Sequence, residues 1–433
     1  MDLKLKPHIQ LKTRLLPVLV GALLIVQLIA PYDGWVILLT GLGGAWLLSY
    51  LWVHNLADKI QLRREIRFGW AQVGDRLEER FTLVNRSWLP VLWAEISDQS
   101  TMPGYQASQV RGVESQSHTR WLTQGICTRR GLFTLGPTIL RTSDPFGISS
   151  LEIRDPKTMT LMVTPPIIPL PAIEVAPGGR AGEGRPRPDA PERTVSASGV
   201  REFSPGDSLR WIHWRTSARR DDLYVRLFEG TPAGDWWIIL DQDQQVQAGQ
   251  GGDSTEEHGV ILAASLADRG LNSRRAVGLV ANSQEVAWLP PREGDGQRWE
   301  ILRALALVAP SQRSLGELLV RIKPTFGRNA SVILITSNTG MQWIEQLLPL
   351  LWTGAVPTVL LLDPISYGGT GEVGPILDVL VSLGIKHYVI DRSVLDRPEA
   401  RPGQKGRWEW RVSPTGRAIP INQPLDESWK SIS

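Results

Sequence analysis

The chain has 433 residues, with 47 Lys and Arg against 44 Asp and Glu, a formal net charge of +3 and 42% hydrophobic residues. This length accommodates two or three domains with real cores beside a membrane segment, and so small a charge excludes a polycationic nucleic-acid binder. The single cysteine, Cys127, excludes an intrachain disulfide and reads as a buried, inert thiol in a reducing compartment.

Two apolar runs, residues 15–30 and 35–53, flank Pro31-Tyr32-Asp33-Gly34. Each approaches the ~20 residues that cross a bilayer, and neither has a polar face, so residues 1–59 read as a two-helix transmembrane hairpin. Lys4, Lys6, Lys12 and Arg14 precede it, Lys59, Arg63, Arg64 and Arg67 follow it, and the turn carries only Asp33. The positive-inside rule then places both termini and the soluble domains on the cytoplasmic face of an inner or plasma membrane. No small-residue cleavage site separates the runs, which argues against a cleaved signal peptide.

Residues 60–172 break into short runs of β period at 76–85, 91–97, 118–122, 131–135, 138–142 and 159–164, which predicts a β-sandwich-like domain. It holds no catalytic constellation, and its His118 reads as structural. Residues 173–198 are rich in Pro, Gly and Arg with nearly balanced charge, the composition of a linker.

Residues 199–232 are the densest in charge and aromatics. Arg201-Glu202-Phe203 is a short extended piece, Ser204-Pro205-Gly206 forms a turn, and a helix is expected from a cap at Asp207 or Ser208, with Leu209, Ile212 and Thr216 at helical spacing. Leu223, Val225 and Leu227 then alternate as a strand. Arg210, Arg215, Arg219 and Arg226 lie close to acids and to Trp211, Trp214 and Tyr224, which points to a packed network locking one domain onto another, with a partner surface as the alternative. Trp214 and Arg219 are expected to support stability there.

From residue 233 to 395, apolar strands alternate with amphipathic helices: strands at 236–240, 276–281, 332–336, 358–362 and 387–390, helices at 256–269, 297–308, 315–322, 341–351 and 374–383. Strands that read as continuous apolar runs are buried on both faces, so a doubly wound parallel α/β sheet follows. Ligands on such sheets bind at the carboxyl ends of the strands. Residues 396–433 are a polar tail with strand patterns at 408–412 and 418–421.

The run GDSLRWIHWRTSARRDDLYVR resembles the signature of the domain of unknown function 58 family, through Gly206, Asp207, Arg210, Ile212, Trp214, Ser217, Ala218, Arg219, Val225 and Arg226. His213 stands where the family usually carries an acid. Arg129-Arg130-Gly131 and the Asp144-Pro145-Phe146-Gly147 turn are similar to segments that precede this signature. The resemblance implies a membrane-anchored protein with a von Willebrand factor A-like α/β domain and a MoxR-type AAA+ ATPase as partner. Such a domain would carry Asp-x-Ser-x-Ser after its first strand, giving a divalent cation oxygen ligands. Here that place reads Asp241-Gln242-Asp243-Gln244-Gln245, and the later strand end reads Thr336-Ser337-Asn338. Asp241 and Asp243 are thus degenerate candidates for a weakly held cation. No cofactor is expected, and Asp241 is expected to bond nearby backbone or a signature arginine.

The reading is a non-enzymatic adaptor or assembly factor that works with an ATPase, since no phosphate-binding Gly-x-x-x-x-Gly-Lys-Ser/Thr loop occurs in the chain. Nucleic acid is not an expected partner. One alternative is a hydrolase with His213 as base, Asp207 or Glu202 orienting it, and Ser217 or Ser204 as nucleophile. The other is binding of anionic lipid or nucleic acid through the Arg/Trp segment.

Overall fold

A strand, β1 (Pro7–Leu11), leads into two apolar helices, α1 (Leu15–Ile29) and α2 (Asp33–Ala57). The computed structural model describes residues 7–66, 69–170, 173–176, 197–203, 212–220, 222–228, 235–283, 285–322, 330–352, 354–395, 410–412, 418–420 and 430–431. Within these, α2 has the length and apolarity to cross a bilayer, and α1 is a shorter apolar helix of 15 residues. α1 buries none of its residues; α2 buries only Ser49, Val53, Leu56 and Ala57, all near its C-terminus.

The chain divides into two units, Met1–Pro166 with Pro398–Ser433, and Ile167–Arg397. After α2 the first unit is all β: β2 (Ile60–Ile66), β3 (Trp70–Gln72), β4 (Arg76–Asn85), β5 (Val91–Asp98), β6 (Gln109–Val113), β7 (Ser117–Ile126), β8 (Gly131–Leu135), β9 (Thr138–Ser143), β10 (Ser149–Asp155) and β11 (Met159–Thr164). One sheet runs β1-β10-β9-β5-β6 and another β3-β11-β8. A third joins β2, β4 and β7, with residues 430–431 of the expected tail paired to Glu65 and Ile66.

Alternation explains the core. On β4, Leu77, Glu79, Phe81, Leu83 and Asn85 face inward, and Phe81 stacks on Trp121 of β7 with ring centroids 5.6 Å apart. Glu79 is a charged residue at a core position, and it is paired. Arg64 of β2 grips it in a two-pronged fork at 3.0 and 2.7 Å and reaches Asp98 at 2.7 Å and Thr138 at 3.2 Å, while the Tyr105 hydroxyl also donates to Glu79. Arginine suits this role because its planar fork matches a carboxylate. The Asp144 turn fixes α2 to the β core: the buried Ser49 hydroxyl lies 2.9 Å from Asp144 Oδ2, which also accepts the Ser149 N–H. Cys127 is fully buried, and burial pushes its thiol up to about 12, so it stays unreactive.

The second unit begins with β12 (Ala197–Glu202), α3 (Trp214–Arg220) and β13 (Tyr224–Phe228). Then come β14 (Trp236–Leu240), the short ladder β15 (Gly249–Gln250) and β16 (Asp253–Ser254), α4 (Thr255–Asn272), β17 (Val277–Ala281), β18 (Ala287–Arg292), α5 (Asp295–Leu307), α6 (Leu315–Ile322), β19 (Ser331–Thr336), α7 (Gln342–Trp352), β20 (Val356–Leu362), α8 (Gly374–Ser382), β21 (Lys386–Ile390) and α9 (Arg392–Leu395). The main sheet has the order β18-β17-β14-β19-β20-β21, parallel except for β18 at one edge. Both its faces are covered. Trp237, Ile239, Leu334 and Leu361 pack against α6, α7 and α8, whereas Leu240, Ile335 and Leu362 crowd Gly259 of α4.

Two sequence expectations need correction here. The sheet is not wholly parallel: β18, which the sequence expectations omit, runs antiparallel at one edge, where Pro290 and Pro291 are tolerated because an edge strand has one unpaired side. The linker expected over 173–198 is not loose at its start. The Ala176 N–H donates to Thr358 Oγ1 at 2.9 Å, the Glu174 N–H to the Tyr388 hydroxyl at 3.0 Å, and Ile173 is buried. Residues 177–196 lie outside the described residues.

Candidate functional site

The signature segment folds around one hairpin. β12 and β13 pair antiparallel, Glu202 opposite Tyr224 and Val200 opposite Arg226. Ile212 does not continue a helix from Asp207, as its spacing suggested; it is extended and bridges Val225, both side chains being buried. Gly206, Asp207, Arg210 and Trp211 lie outside the described residues.

α3 starts at Trp214, five or six residues later than a cap at Asp207 or Ser208 predicts, and His213 caps it. Its carbonyl accepts the N–H groups of Thr216 and Ser217 at 2.9 and 3.0 Å, and its Nδ1 accepts the Thr216 N–H at 3.2 Å. A backbone N–H can only donate, so Nδ1 is the unprotonated ring nitrogen; the Thr216 hydroxyl, 2.6 Å away, donates to it too. This is the geometry of a helix N-cap, the place where an aspartate side chain would accept the same N–H. His213 therefore keeps the acceptor role of the acid that the resemblance leads one to expect.

Ser217 is the second anchor. Its buried hydroxyl accepts the Tyr224 N–H at 2.9 Å and lies 3.2 Å from the His213 carbonyl oxygen, tying α3 to β13. The hydrolase alternative needs this hydroxyl against the imidazole. Instead it is committed to backbone, and Nδ1 faces Thr216, so His213 and Ser217 do not form a base–nucleophile pair.

The signature thus has two sides. Ile212, Ser217, Tyr224 and Val225 are buried, while Trp214, Arg215, Ala218, Arg219 and Arg220 are exposed. Trp214 is 67% exposed, which overturns the expectation that it and Arg219 lock a packed network. A seven-residue helix of about two turns can bury only one side, and Ser217 claims that side. Arg220 arches over the Tyr224 ring at 5.5 Å, and the Tyr224 hydroxyl reaches Glu202 at 3.4 Å.

The second candidate lies at the carboxyl end of the central strand β14. Asp241 is 2% exposed, and its two oxygens are taken: Oδ2 accepts the Thr336 hydroxyl at 2.6 Å and Oδ1 the Asp243 N–H at 3.0 Å. Asp243 in turn accepts the Gln245 N–H at 3.0 Å. Burial pushes the Asp241 carboxyl up to about 6, against the opposing pull of these donors. Thr336 is the partner that sequence reasoning missed; its position at the end of the adjacent strand was the available signal. Among the described residues, no three His, Cys, Asp or Glu side chains converge as metal ligands.

Residues 199–365 match the family described as "Protein of unknown function DUF58". Uncharacterised proteins of Mycobacterium tuberculosis and Mycobacterium bovis are 25% identical to the chain over 206 residues, covering 45% of this chain and 64% of theirs. The chain therefore spans less than two thirds of the length of these relatives. The uncharacterised protein YeaD of Bacillus subtilis is 31% identical over 111 residues, covering 26% of each chain. Among solved structures, an aerotolerance-related membrane protein from Bacteroides fragilis aligns with 18% identity and a TM-score of 0.23, over 30% of this chain and 67% of that one. The hairpin, the His213-capped helix and most of the parallel sheet fall inside the matched range, and the chain carries a DUF58 family domain over residues 199–365.

Proposed function

We propose that the chain is a membrane-anchored, cytoplasm-facing adaptor whose exposed α3 surface docks a protein partner. The observation that carries this is the split signature: its buried residues hold α3 on the hairpin, and its exposed side offers a tryptophan among arginines, residue types that dominate binding energy at protein interfaces. The family resemblance makes a MoxR-type AAA+ ATPase the leading partner, with the nucleotide chemistry on that partner. The second unit is read as a von Willebrand factor A-like module in which the cation-binding hydroxyls are replaced and Asp241 serves the fold.

The anchor is the pair α1 and α2. Large apolar side chains along both are exposed, including Val18, Leu28, Ile29, Ile37 and Leu47. β1 before them and β2 after them belong to one β unit, which supports a hairpin whose two ends lie on the same side of the bilayer.

The test is recovery of bound proteins from detergent-solubilised native membranes, with the full-length chain as bait in ATP and in ADP. An AAA+ ATPase held in one nucleotide state and lost with Trp214→Ala is the expected result. Equal recovery by wild type and variant, or no ATPase in either state, would remove the reading.

A further inference from the structure

Sequence reading left His118 as a structural histidine, but the structure places it in a basic concavity of about 310 Å³ on the outer face of the β2-β4-β7 sheet. Register explains the grouping. Arg63 of β2 lies opposite Thr82 of β4, which lies opposite Arg120 of β7; one row along, Val84 lies opposite His118. Arg86, just past β4, and Gln116, just before β7, complete the wall.

Three features make this a built site. Its lining holds three arginines and a histidine and no carboxylate. The acid on this face in the next row, Glu65, is engaged by Arg80 at 2.5 Å. The rim is held in place: buried Asn85 and Ser87 bond each other and the Leu89 carbonyl, and Gln116, in the left-handed region at φ 52°, donates from its side chain to the Arg86 carbonyl at 2.9 Å. Guanidinium groups so arranged suit phosphate oxygens, which they bind through paired charge-assisted hydrogen bonds.

The concavity also sits where the chain leaves α2. The helix ends at Ala57, and the Arg86 N–H donates to the carbonyl of Lys59 two residues later. We infer that Arg63, Arg86 and Arg120 form a binding site for the phosphate headgroup of an anionic phospholipid in the leaflet that α2 exits. This rests on the membrane-anchoring reading. No Phe, Tyr or Trp lines the concavity, so it lacks the large stacking platform with which single-stranded nucleic acid is held.

The test uses the full chain in uncharged detergent, titrated with short-chain phosphatidylglycerol, short-chain phosphatidylcholine and inorganic phosphate, with binding read by native mass spectrometry. Saturable phosphatidylglycerol binding, absent for phosphatidylcholine, is expected to weaken about tenfold or more in the double variant Arg63→Gln/Arg120→Gln. It should persist in Arg154→Gln, which removes an exposed arginine from another sheet. Equal phosphatidylglycerol affinity in wild type and double variant would overturn the site. Inorganic phosphate binding as tightly as the lipid, with the same dependence on Arg63 and Arg120, would overturn the lipid assignment. Membrane fractionation of cells expressing the chain tests the anchor separately, because its failure would leave the titration unaffected.

Discussion

Replacing Asp241 with asparagine tests whether this carboxylate serves the fold or a cation. The folded carboxyl is pushed up to about 6 from an ordinary 3.8, chiefly by burial. At about 1.4 kcal/mol per pH unit, a charged Asp241 therefore costs the fold about 3 kcal/mol at neutral pH. The folded value is raised, so the proton's contribution is complete below about pH 4, is lost as pH rises through about 6, and leaves the full penalty above that. In Asp241→Asn, Oδ1 still accepts the Asp243 N–H and the amide donates to Thr336 Oγ1; the Thr336 hydroxyl proton loses its acceptor, a cost of about 1 kcal/mol. The net gain is about 2 kcal/mol at pH 7.5, or about 4–8 °C for a unit of this size, shrinking at pH 5. Thermal scanning of the full-length chain by tryptophan fluorescence at both pH values, with and without magnesium, reads this directly. A variant less stable than wild type at pH 7.5, or a wild-type midpoint raised by magnesium only when Asp241 is present, would refute the reasoning and assign the carboxylate to a cation.

Arg64→Met would strand Glu79 and Asp98 in the β core, and a loss of about 3–5 kcal/mol in chemical denaturation of the first unit is expected. Ser217→Ala leaves the buried Tyr224 N–H without its acceptor and should cost about 1–3 kcal/mol. Trp214→Ala and Arg219→Ala, on the exposed side of α3, should instead change stability by no more than about 0.5 kcal/mol; a large loss in either would restore the packed-network interpretation. Ser49→Ala removes the α2 hydroxyl held by Asp144 and Ser149, and faster proteolysis of the loop after α2 is the expected readout.

Local patterning carried much of the architecture. The apolar runs of residues 236–240 and 332–336 read as buried strands because their neighbours on both faces are helices, and the 3.6-residue period of residues 315–322 marks α6 within a residue. The Gly-Asp to Val-Arg signature was legible as a unit because its turn, helix and strand are contiguous in sequence. Pairing and exposure were not. Nothing in the order of residues says that His213 caps α3, that Ile212 bridges Val225, or that Trp214 faces outward, because each depends on which side of a short helix the hairpin covers. Likewise Asp241 finds Thr336 across 95 positions, and Arg63, Arg86 and Arg120 converge only through strand register. Periodicity is a property of neighbours along the chain, whereas a buried carboxylate's partner and a cluster of like charges are properties of neighbours across it, which only the tertiary structure brings together.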